Sequence, residues 1–464
     1  MYNVSLDKIA QELGYPYKGK KDVVVRRVVF DSREVKEGDL FVAIRGERVD
    51  GHTFVGKAIE SGAVGVVTRE DFALENDAVG QIIAEDGQAF IQALGKWCRA
   101  QFQGPVIAIT GSQGKTSTKD LMAQVCRLRG NVVVTKENQN NELGLPLTLT
   151  RLDEMTDFCI VEMGMTGFGE IDFLCQMAQP THAIITGIGM VHAEFLGSQQ
   201  GIARAKTELF KYLPQDGAVA LRKKDETLLS PYVSECAGRV LWCDVDGGDG
   251  DVVCTSSNLQ TDASDYECQA MGETFSVHLP FAGKHYISNA LLVTAIARML
   301  DIPVVDIQNG LGSAVSLSSN RMEMHELDRG CLLINDCYNA NPDSMIATID
   351  VLAGYKPRPT VACLGNMYEL GQYEKEGHAS VGRHLATKGI ESLICLGALA
   401  EGIGASAIEA GMNPAQVFYV DTTKQMALLL KEYARDHSVI LVKGSNSMHM
   451  TEVYKYIKNE PTMV

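Results

Sequence analysis

Residues 106–117 have the sequence Val-Ile-Ala-Ile-Thr-Gly-Ser-Gln-Gly-Lys-Thr-Ser, an apolar run followed by a glycine-rich segment that ends in Lys-Thr-Ser. The apolar run predicts a buried strand, and the residues after the second glycine predict the start of a helix. Glycines at such a junction let backbone N–H groups converge on phosphate oxygens, and Lys115 adds a positive charge. The stretch therefore predicts a phosphate-binding loop on a parallel sheet.

This loop departs from the general form in one position, because Ile109 stands where the longer pattern has Gly. We therefore expect a shorter variant, in which Thr116 can give its hydroxyl to Mg2+. A phosphate-binding loop also needs an acid at the end of a neighbouring strand, and Glu162 ends the apolar run 158–161. The alternatives are a glycine-rich turn without a ligand and a surface or capping glutamate.

Two further polar residues carry weaker signals. His192 follows the turn 187–189, where a histidine is usually a satisfied loop residue. Lys206 lies on a stretch that predicts a helix capped by Ser198, and periodicity alone predicts a solvated lysine there. From the residues themselves, the prediction is an ATP site on a sheet domain.

The pattern on either side of the loop indicates an α/β protein of three domains. The 464 residues fit three units at roughly 150 residues per domain, and we place them at 1–103, 104–315 and 316–464. The sequence pattern of the first segment predicts a small α/β unit. In the second, strands alternate with helices, which predicts a parallel sheet covered on both faces, and residues 240–280 predict an appended β meander. In the third, five alternating strand-like runs predict a doubly wound, Rossmann-like sheet.

Composition excludes several classes of function. Lys and Arg total 42 against 58 Asp and Glu, a formal charge of −16, so there is no general attraction to nucleic acid or to an anionic membrane. No apolar run approaches the roughly 18 residues of a spanning helix. The 12 cysteines include no Cys-x-x-Cys pair and predict reduced core residues. We expect a cytoplasmic monomer with neither nucleic-acid nor integral membrane association.

Five short motifs, in order along the chain, together resemble the Mur ligase family, the ATP-dependent amide-forming enzymes of peptidoglycan precursor synthesis. They are Thr-Gly-Ser-x-Gly-Lys-Thr at 110–116, Glu-Met-Gly at 162–164, His-x-Glu-x-x-Gly-Ser at 192–198, Ala-Lys-x-Glu at 205–208 and Ile-Ser-Asn-Ala at 287–290. The resemblance implies an N-terminal UDP-sugar-binding domain, a central ATPase domain and a C-terminal Rossmann-like domain that brings the incoming amine.

Within the family, the chain is most similar to members that join D-Ala-D-Ala to UDP-MurNAc-tripeptide through an acyl phosphate. The discriminating stretches are 140–146, 336–345 and 367–371, with His378 and Gly382. A ligase that adds the third residue would show an Asp-Asn-Pro-Arg-type motif, which we do not find. That ligase, a folylpolyglutamate synthetase-like protein and a non-catalytic nucleotide-binding relative remain alternatives. Loss of Lys115, Glu162 or Lys206 is expected in a non-catalytic relative, and all three are present.

The resemblance also implies roles for individual residues. Catalytic roles fall to Lys115, Glu162, His192 and Lys206. Residues implied to bind ATP are Gly111, Ser112, Gln113, Gly114, Lys115, Thr116, Ser117, Asn289, Arg321 and Asp336. Those implied to bind Mg2+ are Thr116, Glu162, His192 and, if it carries a carbamate, Lys206. Those implied to bind the peptide substrates are Ser32, Arg33, Asp50, His52, Asn140, Asn141, Tyr338, Asn339 and Asn341.

Three positions depart from the family pattern. Asn366 stands where the family tends to have Asp, Asn446 where it has Arg, and Gly187 where it has Asn. The first two changes remove charge from the ligand edge of the C-terminal domain. We expect them to affect dipeptide binding or domain closure and to leave the ATPase centre unchanged.

Overall fold

The protein is represented by a computed structural model that describes residues 2–46, 48–74, 78–314 and 320–458. Three separate sheets of five, nine and six strands follow one another along the chain, each covered by helices. The predicted α/β architecture of three units is confirmed. The predicted boundary between residues 315 and 316 lies outside the described residues.

The N-terminal sheet has the order β1-β5-β4-β3-β2 and is parallel except for β1. Its strands are β1 (Tyr17–Gly19), β2 (Arg27–Val29), β3 (Asp39–Val42), β4 (Gly65–Thr68) and β5 (Gly80–Ile83). Its helices are α1 (Leu6–Leu13), α2 (Val55–Glu60) and α3 (Gly87–Gln101). The helix α3 begins where the Asp86 carboxylate accepts hydrogen bonds from the backbone N–H groups of Gln88 and Ala89.

The central sheet has the order β14-β13-β12-β11-β10-β9-β6-β8-β7. Its strands are β6 (Val106–Thr110), β7 (Val132–Val134), β8 (Phe158–Glu162), β9 (His182–Ile185), β10 (Ala218–Arg222), β11 (Arg239–Asp244), β12 (Val252–Leu259), β13 (Ser264–Ala270) and β14 (Glu273–Leu279). Its helices are α4 (Lys115–Arg127), α5 (Gly144–Leu149), α6 (Glu170–Ala178), α7 (Ala193–Leu196), α8 (Gln199–Thr207), α9 (Glu226–Leu229), α10 (Lys284–Met299) and α11 (Val304–Gly312).

The predicted meander is only partly correct. The strands β12, β13 and β14 pair antiparallel, as a meander does. However, β11 pairs in parallel with β10, so residues 240–244 belong to the parallel part of the sheet. The physical reason is continuity, because the meander extends the edge of the central sheet and does not form a sheet of its own.

The C-terminal sheet has the order β15-β16-β20-β17-β18-β19 and is parallel apart from β15, as the doubly wound pattern predicts. Its strands are β15 (Glu323–Glu326), β16 (Leu332–Asn335), β17 (Thr360–Gly365), β18 (Ser392–Leu396), β19 (Val417–Val420) and β20 (Val439–Lys443). Its helices are α12 (Pro342–Ala353), α13 (Glu374–Thr387), α14 (Glu401–Glu409), α15 (Thr423–Tyr433) and α16 (Glu452–Lys458).

The apolar core joins the N-terminal and central units. Phe90 and Leu94 of α3 belong to the same buried cluster as Leu145 and Leu149 of α5. The two helices approach closely at Gly95, where a Cβ atom would lie 2.8 Å from the Pro146 carbonyl oxygen. Glycine is therefore required for this contact, which holds the N-terminal unit beside the central sheet.

The twelve cysteines, all of which lie in the described ranges, are free, and all but Cys236 are buried. Burial raises the pKa of Cys98 and Cys159 to about 12, so these thiols stay protonated at neutral pH. Their prediction as core residues is confirmed for the eleven buried cysteines. In the part of the chain that the structure describes, no helix has the length and apolar character needed to cross a bilayer.

Candidate functional site

The glycine-rich loop joins β6 to α4, as predicted. Gly111 and Gly114 have φ angles of 147° and 76°, in the region that favours glycine. A Cβ atom on Gly111 would lie 2.0 Å from Thr186 Oγ1, so a larger residue cannot occupy this position. The loop backbone is thus held against the turn that follows β9, with its N–H groups at the beginning of α4.

Lys115 is the first residue of α4, and its side chain folds back over the loop. Lys115 Nζ donates a hydrogen bond of 2.8 Å to the Gly111 carbonyl oxygen. Burial lowers the pKa of Lys115, Glu162 opposes that change and Arg321 reinforces it. The amine is therefore a pre-positioned donor whose charge has no direct ion-pair partner among the described residues.

Glu162 ends β8, which lies next to β6 in the sheet, and its side chain is 2% exposed. Its Oε1 accepts a hydrogen bond of 2.8 Å from Asn140 Nδ2. Its Oε2 is buried and has no hydrogen-bond partner within the described structure. A buried carboxylate oxygen without a partner is costly unless a ligand or ion supplies one, so this atom has the character expected of a metal ligand.

Thr116 and Arg321 lie on the other side of the loop. Arg321 Nη2 donates a hydrogen bond of 3.0 Å to Thr116 Oγ1, and the guanidinium lies 3.8 Å from the ring centre of Tyr338. Arg321 therefore links the first turn of α4 to the C-terminal domain. Its contact with Thr116 occupies the hydroxyl predicted to hold Mg2+.

His192 lies in a left-handed conformation, with φ at 59°, where α7 begins. Its Nδ1 lies 2.6 Å from Glu369 Oε2 of the C-terminal domain. Burial is the largest effect on the pKa of His192 and lowers it, as do Lys115 and Lys206, while Glu369 raises it. The imidazole is thus held from one side by a residue of another domain.

Lys206 lies on α8, which begins at its predicted cap, where Ser198 Oγ accepts a hydrogen bond from the Gly201 N–H group. The side chain is 2% exposed, so the prediction from periodicity of a solvated lysine is wrong. Burial, reinforced by Lys115, lowers the pKa of Lys206 well below its usual value. A buried uncharged amine is the form that reacts with carbon dioxide.

A cavity of about 1030 Å³ brings these groups together with the C-terminal domain. The predicted residues that line it are Ser112, Gln113, Gly114, Lys115, Thr116, Ser117, Asn140, Asn141, Glu162, His192, Asn289, Arg321, Asp336, Tyr338, Asn339 and Asn341. Gly111 lies within the same loop, and Lys206 lies close enough to Lys115 for their charges to interact. Most of the predicted positions therefore line one open cavity.

The C-terminal wall of the cavity is formed by the ends of β16 and β20. Lys443 Nζ lies 2.5 Å from Asp336 Oδ2 and donates a hydrogen bond of 2.9 Å to the Asn339 carbonyl oxygen. Asp336 is thus neutralised by a buried lysine. Asn341 caps α12 by accepting a hydrogen bond from the Ser344 N–H group, and the Asn141 side chain accepts a hydrogen bond from the N–H group of Gly144, the first residue of α5.

The four predicted residues of the N-terminal unit lie outside this cavity. Ser32 is buried, while Arg33 is exposed and pairs with Asp31 at 2.6 Å. Asp50 accepts hydrogen bonds from the His52 N–H group and from Arg69, and its contacts with His52 and Arg69 lower the pKa of Asp50 to about 2. Arg33 is thus engaged by Asp31, and Asp50 and His52 are engaged with each other and with Arg69.

The set of residues predicted for the metal contains few strong ligands. Among the described residues, no group of three or more His, Cys, Asp and Glu side chains could hold a metal ion. Mg2+ commonly takes one or two protein carboxylates and completes its shell with water and substrate phosphates. The partnerless oxygen of Glu162 fits that mode of binding.

The departure at Gly187 lies beside an arginine of this cavity, and its effect on the ATPase centre stays a prediction. A Cβ atom on Gly187 would lie 2.0 Å from Nη2 of Arg222, which lines the same cavity as Lys115. A guanidinium thus takes the space of the missing side chain. Sequence reasoning missed Arg222, because an arginine at a strand end is usually a solvated residue, and only the departure at 187 pointed toward it.

The fold and this cavity define an α/β protein with a loop suited to nucleotide phosphates. Family models match the chain in three segments: the Mur ligase family catalytic domain at residues 24–100, the Mur ligase middle domain at 109–297 and the Mur ligase glutamate ligase domain at 320–446. The chain is 34% identical to a UDP-N-acetylmuramoyl-tripeptide--D-alanyl-D-alanine ligase from Synechocystis, over 96% of this chain and 94% of that protein.

Solved structures give the same result. The crystal structure of MurF from Acinetobacter baumannii superposes with a TM-score of 0.86 at 26% identity, covering 99% of this chain and 100% of the other. MurF ligase from Thermotoga maritima in complex with ADP has a TM-score of 0.79 at 26% identity, covering 95% and 99%. The chain belongs to the Mur ligase family.

Proposed function

We propose that this chain is an ATP-dependent ligase that joins D-Ala-D-Ala to UDP-MurNAc-tripeptide, giving UDP-MurNAc-pentapeptide, ADP and phosphate. The full-length similarity to ligases named for this reaction supports the choice of substrates. The observation that carries the proposal is the arrangement at the cavity, where Lys115 and a partnerless oxygen of Glu162 face the glycine-rich loop.

The chemistry requires activation of a carboxylate, because a carboxylate is a poor acyl donor. An oxygen of the tripeptide's terminal carboxylate attacks the γ phosphorus of ATP, and ADP leaves. The free amine of D-Ala-D-Ala then attacks the acyl phosphate, and the tetrahedral intermediate expels phosphate as the amide forms. Phosphoryl transfer of this kind depends on positioning and on compensation of charge more than on covalent help from the protein.

Each residue of the central domain then has a defined task. Lys115, curled over the loop, offers a positive charge to the terminal phosphates. Thr116 and Glu162 would hold Mg2+, and His192 a second ion; when bound, the metal neutralises charge on the phosphate oxygens. Asn140 orients Glu162 through Oε1 and leaves Oε2 directed to the ligand. The hydroxyl of Thr116 becomes available when Arg321 turns to the nucleotide.

Lys206 is proposed to carry a carbamate. Its burial keeps the amine uncharged, so the nitrogen can bond to carbon dioxide and lose a proton. The product is an anion in place of a buried neutral amine. The charge of Lys115, which helps burial to lower the pKa of Lys206, would attract this anion.

The remaining predicted residues form the proposed substrate contacts. Asn289, Arg321 and Asp336 would contact adenine, phosphate and ribose. The UDP-sugar would contact Ser32, Arg33, Asp50 and His52. The peptides would contact Asn140, Asn141, Tyr338, Asn339 and Asn341. We also propose domain divisions at residues 103/104 and 315/316.

We place the reaction in the cytoplasm, in a monomeric enzyme that supplies peptidoglycan precursor for the cell wall, and hence for cell shape and division. The free, buried cysteines agree with a reducing compartment. The lysine and glutamate that a non-catalytic relative would lose are retained.

The experiment offers ATP, Mg2+ and UDP-MurNAc-tripeptide together with either D-Ala-D-Ala or single amino acids. We expect a product mass equal to the tripeptide plus the dipeptide minus water. A product with one added amino acid would indicate a different ligase of the family. No product with any acceptor, despite nucleotide binding, would favour a non-catalytic relative.

The variant Lys115→Ala should lower the rate of phosphate release roughly 10³-fold or more, because it removes the charge that faces the transferred phosphate. Lys211→Ala is a suitable control, because this exposed lysine pairs with Asp172 outside the cavity and its loss should change the rate less than about 2-fold. Retained turnover in Lys115→Ala would contradict the assignment of the loop.

A further inference from the structure

The turn 186–189 and the end of β10 form a single steric unit. β10 pairs in parallel with β9, with Leu221 opposite Ile185, so Arg222 lies beside the start of this turn. Gly187 has a φ angle of 147°, and a Cβ atom there would lie 2.0 Å from Arg222 Nη2 and 2.2 Å from Cζ. A side chain at 187 and this guanidinium therefore exclude each other.

Ser112 of the phosphate-binding loop makes three hydrogen bonds with this turn. Ser112 N–H donates to the Gly187 carbonyl oxygen at 2.9 Å. Ser112 Oγ donates to the Gly189 carbonyl oxygen at 3.0 Å, and Gly189 N–H donates to Ser112 Oγ at 2.8 Å. Arg222, at the end of β10, thus lies against a turn that hydrogen bonds hold to the glycine-rich loop.

One carboxylate holds both parts of this unit. Arg222 Nε donates a hydrogen bond of 2.8 Å to Asp225 Oδ2, and the same oxygen accepts from the Ile188 N–H group at 3.2 Å. Within the described residues, the two Nη groups of Arg222 have no hydrogen-bond partner. The Arg222 side chain is 17% exposed, and it lines the cavity that Lys115 also lines.

A guanidinium that is fixed through Nε and has both Nη groups without a partner can donate two parallel hydrogen bonds to one acceptor group. Two oxygens of a phosphate match this bidentate geometry. We propose that Arg222 is a further phosphate-binding residue of this enzyme, placed by Gly187 to contact the terminal phosphates of the nucleotide. The inference rests on the proposed function only for the identity of the reaction, because nucleotide binding tests it without any peptide.

Another acid lies near the guanidinium. Asp343, in the first turn of α12, lies 2.4 Å from a Cβ atom built on Gly189, and Arg222 and Lys224 lower its pKa against the larger effect of burial. Arg222 could therefore serve to link two domains through Asp343. That purely structural role makes a different prediction in the experiment.

The experiment measures the dissociation constants of a non-hydrolysable ATP analogue and of adenosine by calorimetry, in the presence of Mg2+. Arg222→Gln should weaken binding of the analogue about 10- to 100-fold, the value of charge-assisted hydrogen bonds, and leave adenosine within about 2-fold. Arg222→Lys, which keeps the charge but not the fork, should give an intermediate affinity. Arg239→Gln, at an exposed arginine paired with Asp251 just before β12, should match the parent protein.

The pairing of Gly187 with Arg222 gives an independent test. Gly187→Ala should weaken binding of the analogue in the parent protein, because the new Cβ displaces the guanidinium. In an Arg222→Ala background the same change should have a clearly smaller effect, although the strain of the positive φ angle is present in both. Equal effects in the two backgrounds would contradict the proposal.

Other outcomes also overturn it. Unchanged analogue affinity in Arg222→Gln would exclude a phosphate contact, and equal losses for the analogue and for adenosine would indicate a structural role. If Asp343→Asn reproduces the effect of Arg222→Gln, Arg222 acts as a domain link. The mass of the ligation product formed by the parent protein separates these results from failure of the proposed function, because that assay does not depend on Arg222 variants.

Discussion

Two edges of the cavity face each other and treat their charges differently. At the central edge, Glu162 at the end of β8 keeps one buried oxygen without a partner, and burial lowers the pKa of both Lys115 and Lys206. At the ends of β16 and β20, Asp336 and Lys443 neutralise each other at 2.5 Å. The polar groups of the central edge therefore need a ligand to pair with, whereas the charges of the C-terminal edge pair with each other.

This difference distinguishes the residues that contribute to ligand binding from those that contribute to the stability of the fold. Groups that lack partners cost folding free energy and are retained for what they bind, whereas paired groups contribute to the structure in the absence of ligand. Substitutions on the two edges should consequently differ in their effects on activity and on stability. Changes at the central edge should lower activity at little cost in stability, and changes to the ion pair at the C-terminal edge should lower stability.

The first test of this comparison is at Lys206. Lys206→Arg keeps a long nitrogen-bearing side chain but cannot form a carbamate, because the guanidinium stays protonated. We expect roughly a 10²-fold loss of ligation rate and loss of the carbamate signal in a carbon-13 NMR spectrum recorded with labelled bicarbonate. A parent protein without that signal, active in buffer free of carbon dioxide, would contradict the carbamate.

Glu162→Gln should lower the rate by about 10²-fold and raise the Mg2+ concentration needed for half-maximal rate, because an amide is a weaker metal ligand. The free energy of unfolding should stay constant or rise by up to about 1 kcal/mol, since a partnerless buried charge is removed. Glu267→Gln, on an exposed part of β13, is the control for both quantities. A marked loss of stability in Glu162→Gln would break the comparison.

Unlike Glu162→Gln, Asp336→Asn should lower the stability of the protein. It leaves Lys443, 2% exposed, as an unpaired buried cation, and we expect a loss of roughly 3 kcal/mol in the free energy of unfolding by urea. Asp350→Asn, at a surface pair with Lys388, should change it by less than about 0.5 kcal/mol. Equal stability of the Asp336 and Asp350 variants would show that the C-terminal edge is not held by its ion pair.

The strands were predictable, because short buried apolar runs bounded by glycine and polar residues have few other structures open to them. The phosphate-binding loop was predictable for the same local reason. The partners were not: Arg321 and Thr116 are 205 residues apart, and Lys443 and Asp336 are 107 apart. Such contacts depend on strand register and on the packing of domains, which no local pattern encodes.

Glu369 and Arg222 illustrate this limit. The stretch containing Glu369 was recognised as a motif, but its contact with His192 joins two domains. Arg222 carried no local signal, and its position became evident only from the space left at Gly187. In the N-terminal unit, the structure engages Asp50 and His52 with each other, and their contact with substrate stays a prediction.

A separate prediction concerns the pH dependence of stability contributed by His285, on the cavity wall. Burial lowers the pKa of His285 to about 4, from an unfolded value near 6.5. The unfolded chain then binds a proton first, so stability should fall as the pH decreases from 6.5 to 4 and level off below 4. In His285→Gln this part of the decrease in melting temperature should be missing. A superimposable pH profile would contradict the assignment.

The most direct test of the central claim follows the oxygen atoms of the tripeptide. If the carboxylate is activated by phosphoryl transfer at the loop, a tripeptide labelled with oxygen-18 in its terminal carboxylate must give one labelled oxygen to each phosphate released. Mass spectrometry of the phosphate should therefore find one label for every molecule of ligated product. Unlabelled phosphate, with ligation proceeding, would contradict the account.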